Sequence, residues 1–137
     1  MTHATFGERA LATLIDMLWM IPMALLLHYL LYGADAFSEA LEPRLGAEIV
    51  SWIVPAVVII NFWLTSQATP GKMVMRLRIV DAETGGMPGV DQYTLRYFGY
   101  LVSGIPFALG YLWMLFDTRR QTWHDKIGRT VVIREKR

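Results

Sequence analysis

Arg9 and Asp16 are the first residues whose chemistry asks for an explanation. They stand seven residues apart, so a helix carries both on one face two turns apart. Asp16 lies inside the run Ala10–Tyr32, which apart from Asp16 and His28 is almost wholly apolar. A carboxylate in hydrocarbon costs roughly 2.5–3.5 kcal/mol on insertion scales, so a chain that keeps one pairs it or uses it. Used, Asp16 exchanges a proton or a monovalent cation. Paired, it forms a permanent salt bridge with Arg9 or Arg96 and holds helices together. Both readings stay open at this level.

The remaining candidates are weaker alone. Arg9 could also snorkel to the interface or meet an anionic headgroup. Arg96 sits at the mouth of a later apolar run, where it either faces headgroups or pairs with Asp16. His124 and Asp125 adjoin in a basic stretch. Such a pair can shuttle protons or bind metal, but no third ligand stands at a recognisable spacing, so no metal is expected. Asp125 is expected to cap or bond neighbouring backbone and arginine side chains, pinning the tail. Asn61 could bond across helices, worth about 0.6–2 kcal/mol, or lend an oxygen to a cation path; packing is preferred. His28, near the far end of its run, is expected among headgroups. Thr69-Pro70-Gly71-Lys72 lacks the Gly-x4-Gly-Lys-Ser/Thr spacing of a phosphate loop and reads as a turn. No catalytic constellation appears, so neither an enzyme nor a cofactor is expected.

The elements that must position these residues are membrane helices. The chain has 137 residues, 54% hydrophobic and only 18% charged, with net charge +1 and no cysteine. That suits a single domain over 1–137, excludes disulfides and thiolate metal sites, and gives no reason to expect nucleic acid. As a helix, Ala10–Tyr32 is about 35 Å long, enough for a hydrocarbon core of about 30 Å. Ile49–Leu64 is uncharged and bounded by Trp52 and Trp63; Tyr97–Phe116 contains Gly99, Gly104, Pro106 and Gly110. Ala10–Tyr32 could also be read as a signal peptide cleaved near Ala34-Asp35-Ala36. Asp16 beside its centre, and a length beyond the usual apolar 7–15 residues, argue for a span.

Charge sets the orientation. Gly33–Glu48 holds one base and four acids, and should lie outside. Lys72, Arg76, Arg78 and Arg96 flank the next loop, which should lie inside with the N-terminus. Seven bases from Arg119 to Arg137 follow the third run, yet three full spans would put them outside. A re-entrant third segment, broken at Gly104–Pro106 into Gln92–Ser103 and Phe107–Phe116, removes the conflict and is preferred over a kinked single span. Met73–Asp81 alternates with period two, and Thr130–Arg134 is β-prone. The two are expected to pair as a small cytoplasmic sheet packed on the helices, since two strands alone are marginal in water. The fold class is therefore an all-α membrane protein: two transmembrane helices, a third broken or re-entrant segment, and a small β element.

The chain resembles the RDD family, named for one arginine and two aspartates, in FGERALATLID (6–16), TPGKMVMRLRIVD (69–81) and RRQTWHDKIGRTVVI (119–133). These stretches come in the family's order and cover nearly the whole chain. The resemblance implies a small integral membrane protein in which Arg9, Asp16 and Asp125 match the three named residues. It also implies, for some members, exchange of sodium or potassium for protons. The expectation is thus a bilayer protein of the bacterial inner membrane with both termini cytoplasmic. As a transporter, its charge network would draw on Asp16, Arg9, Arg96, Asp125 and Asn61. Its partners would be monovalent cations and protons, and two or three helices would need a homo-oligomer to enclose a path. The alternative is a structural or regulatory membrane module in which Arg9–Asp16 is a packing device.

Overall fold

The computed structural model describes residues 2–38, 42–104 and 109–135, with the side chains of 101–104 and 109 left aside. A two-residue strand, β1 (Thr2–His3), leads into the long helix α1 (Phe6–Tyr32). Thr5 starts that helix with a reciprocal cap. Its hydroxyl accepts from the Glu8 amide at 3.2 Å, and the Glu8 carboxylate accepts from the Thr5 amide at 2.9 Å. A short connection returns the chain as α2 (Leu45–Ser66). With 27 and 22 residues, α1 and α2 are both long and apolar enough to cross a membrane. Large apolar side chains such as Leu18, Ile21, Leu26, Leu30, Trp52 and Val57 stay exposed along them. A soluble protein would have to bury that surface, whereas lipid solvates it.

One end of the hairpin is closed by polar contacts. Tyr32 Oη donates to Glu48 at 2.7 Å, and His28 Nε2 lies 2.8 Å from the Ala36 carbonyl. His28 thus ties α1 to the chain just beyond its end. The other end carries the remaining elements: α3 (Pro70–Val74), β2 (Leu77–Asp81), α4 (Val90–Gly104), α5 (Leu109–Leu112), α6 (Trp123–Ile127) and β3 (Thr130–Arg134). β3 is central in an antiparallel sheet of order β1-β3-β2, with Thr2 and Leu77 both opposite Arg134.

Two details differ from the sequence reading. The strand expected from Met73 begins at Leu77, because Pro70 at a helix start favours a short helical turn first. The sheet also gains β1, which the sequence reading did not foresee. It supplies the third strand that two-strand pairing lacks and fixes where α1 starts. Leu77, Ile79 and Val132 on the sheet pack with Ala12, Trp63 and Tyr93 from the helices.

β2 precedes the third apolar run and β3 follows it, yet the two are neighbours in one sheet. Both flanks of that run therefore sit at the same end of the hairpin. The break expected at Gly104–Pro106 falls at residues 105–108, outside the described residues. After them the chain forms the four-residue α5 and a 3-10 turn at Trp113–Leu115, in place of a continuous half-helix.

Candidate functional site

Asp125 is the centre of the buried charge. It is the third residue of α6 and closes a reciprocal cap with Thr122, whose amide donates to Asp125 Oδ2 at 3.1 Å. The same carboxylate accepts from Arg9 Nη1 at 2.6 Å and from Arg96 Nη1 in close contact. Asp125 and Arg96 are fully buried, and Arg9 nearly so. Arg96 also donates to Thr130 Oγ1 at 2.8 Å, and its guanidinium lies 5.5 Å from the Trp63 ring and 5.6 Å from the Tyr100 ring. Three segments distant in sequence, the start of α1, the middle of α4 and the cap of α6, thus meet on one acid. Burial works to raise the pKa of Asp125; the Arg9 and Arg96 guanidiniums overcome it and hold the carboxyl well below its ordinary value.

His124 completes this centre as a neutral base. Its Nε2 lies 2.8 Å from Thr122 Oγ1 and 3.3 Å from Arg9 Nη2. Arginine has no acceptor, so Nε2 accepts and the ring proton sits on Nδ1. The ring stacks on Tyr100 with centroids 4.0 Å apart. Burial, with the Arg96, Arg9 and Lys72 charges against Asp125, pushes its pKa well below the ordinary histidine value. Packing here is close because Gly99 and Gly128 have no side chain. A Cβ on Gly99 would stand 2.7 Å from His124 Cα, and one on Gly128 would stand 2.9 Å from Arg96 Cβ.

Asp16 forms a second centre, joined to different residues. It accepts from Thr69 Oγ1 at 2.6 Å, from the Gly71 amide at 2.7 Å and from Trp19 Nε1 at 3.0 Å. Its carboxylate clamps the turn between α2 and β2 onto α1. A Cβ at Gly71 would come within 2.0 Å of the Ala12 carbonyl oxygen, so glycine is required for that approach.

The residues read from sequence therefore divide. Arg9, Arg96 and Asp125 come together. The expected Arg9–Asp16 pair does not form, because seven residues of helix separate the two by about 10 Å along the axis and each has a nearer partner. Arg96 is neither interfacial nor paired with Asp16; it is buried on Asp125. Asn61 stands apart, exposed on α2, and its backbone carbonyl accepts from Thr65 at 2.8 Å. Trp19, Thr122, Thr130 and Tyr100 are site residues that the sequence reading misses, and Thr69 figures in it only as a turn residue. Only the Thr122-x-x-Asp125 spacing, which resembles a helix cap, could have drawn notice. Lys72, read as part of a turn, is buried. Among the described residues no group of His, Asp and Glu could hold a metal ion.

The RDD family model matches residues 3–129, which include Arg9, Asp16, Arg96 and Asp125 and stop just short of β3. The chain belongs to the RDD family. The chain is similar to an uncharacterized protein of Rickettsia prowazekii, 39% identical over 75 residues, covering 55% of this chain and 41% of that protein. An uncharacterized Bacillus subtilis protein is 37% identical over 67 residues, covering 49% and 43%. A proline-rich antigen homolog of Mycobacterium tuberculosis is 27% identical over 99 residues, covering 67% and 41%. The chain spans about two fifths of the length of these relatives. No solved structure matches it.

Proposed function

We propose that this RDD chain is a structural or regulatory membrane module, in which a buried charge network docks a small β-sheet cap onto a pair of membrane helices. The observation that carries this reading is the saturation of both acids. Asp125 is held by Arg9, Arg96 and the Thr122 amide; Asp16 is held by Thr69, Gly71 and Trp19. An exchanging carboxylate must release its partners each cycle. These two lock segments far apart in sequence, and buried donors and acceptors left unmade are expensive. The lysine and arginine distribution supports a cytoplasmic cap in the bacterial inner membrane. The shared end of β2 and β3 supports a third run that enters and returns on that side. No enzymatic activity is part of this reading.

Exchange of a monovalent cation for protons is the second reading, favoured by the position of Asp16 within a span. It requires a homo-oligomer, since two long helices cannot enclose a path. Purified protein in proteoliposomes separates the two. The module reading expects a pH gradient to survive addition of Na⁺ or K⁺. Dissipation that Asp16→Asn abolishes, in a variant that still melts cooperatively, would establish exchange instead.

A further inference from the structure

The buried interior holds more positive charge than it neutralises. Among the described residues the buried side chains of formally charged type are Arg9, Lys72 and Arg96 against Asp16 and Asp125, an excess of one cation. Arg9 and Arg96 share Asp125. Lys72 is only 6% exposed, and it makes no ion pair or hydrogen bond with any described residue. Asp16 cannot serve it without giving up a donor, because its oxygens already take Thr69, Gly71 and Trp19. Two further buried donors show the same shortage of acceptors. Trp63 Nε1 and Arg96 Nε, both donors only, are buried without a partner. Lys72 Nζ is not among these enclosed atoms, so its ammonium reaches the surface through the small exposed part of the side chain, without a counter-ion among the described residues.

Lys72 bears electrostatically on Tyr100 and on His124. Tyr100 adds a phenol within the electrostatic reach of Lys72, and the neutral His124 stacked on Tyr100 adds no acid to compete. Lys72 lies just past the end of α2, where the membrane helix gives way to the sheet. In a bilayer that is the level of the headgroups, where anionic phosphates concentrate.

We propose that Lys72, beside Tyr100 and His124, binds an anionic phosphate group, either of a lipid headgroup or of the free ion. The ligand supplies the counter-charge that the chain omits, and it engages the turn that Asp16 clamps to α1. Occupancy therefore tightens the attachment of the cap. Only the lipid source rests on the membrane reading; the anion site itself does not.

The test is thermal unfolding of wild type, Lys72→Met and Lys72→Arg. Each is measured in nanodiscs of phosphatidylcholine with and without phosphatidylglycerol, and in neutral detergent with sodium phosphate or sodium chloride at equal ionic strength. Wild type and Lys72→Arg are expected to gain roughly 5–10 °C at a hundredfold excess of ligand over its Kd. Lys72→Met is expected to melt no lower than wild type without anions, because it removes an unpaired charge, and to gain nothing from them. A gain with phosphatidylglycerol alone assigns the headgroup; a gain with sodium phosphate as well assigns the free ion. Equal gains in wild type and Lys72→Met overturn the site. So does a wild-type melt indifferent to both anions, whatever the variants do.

Discussion

Asp16 and Asp125 are both buried acids, but they are held in opposite ways. Asp125 sits in the cap between two guanidiniums, and every ionised neighbour depends on it. Asp16 sits in α1, a helix long and apolar enough to cross a membrane, and is held by a hydroxyl, an amide and an indole, all neutral. Charge partners are strong but unforgiving, because removing one strands the others in low dielectric. Neutral donors leave a smaller debt when the acid is lost. Asp125 is thus the point on which assembly of the cap turns, and Asp16 is a local clamp for one loop.

The largest effect should come from Asp125→Asn. It leaves Arg9 and Arg96 buried without a counter-ion and should cost about 3–5 kcal/mol. Thermal unfolding in mild detergent, followed by tryptophan fluorescence, should show loss of the cap environment around Trp63 and Trp123. Asp16→Asn keeps an oxygen for the Gly71 amide and the Trp19 indole, and should cost about 1–3 kcal/mol. An equal loss at both sites would erase the distinction drawn here.

The third prediction concerns pH. His124 is buried neutral with its folded pKa depressed, while the unfolded chain titrates near 6.5. Below that pH the unfolded state takes a proton that the folded state refuses. Stability is therefore full above about pH 6.5 and falls below it by up to ~1.4 kcal/mol per pH unit. His124→Gln should flatten this slope between pH 6.5 and 5. Asp125, its folded pKa also depressed, supplies stability that is present above its unfolded pKa near 3.9 and is lost only as pH falls further. It cannot produce that slope. The smallest effect is a null coupling. Arg9→Gln with Asp16→Asn should be additive within about 0.5 kcal/mol, whereas Arg9→Gln with Asp125→Asn should couple by roughly 0.5–3 kcal/mol. Coupling of the first pair would restore the salt bridge that the sequence suggests.

The two regions also differ in how far the sequence reveals them. Asp16 is conspicuous because an acid in an apolar run announces its own cost, yet its partners are an amide and a hydroxyl with no compositional signature. Asp125 hides in a polar stretch. Its bonding to backbone and arginine in pinning the tail is legible from chemistry, but that the arginines are the distant Arg9 and Arg96 is not. Lys72 was invisible as a buried group, since a lysine after Thr-Pro-Gly looks like any turn residue.

The sequence by itself determined the two membrane helices, the β-prone stretches and membership of the RDD family. Each depends on local composition, period or motif, and hydrophobic length is a property of a segment alone. Only the tertiary structure decided which charge meets which. Arg9 bonds Asp125 across 116 positions and Asp16 bonds Gly71 across 55. The third strand at Thr2–His3 and the burial of Lys72 were likewise settled by packing. Electrostatic pairing acts over a few ångströms, and chain separation places no bound on which residues come that close.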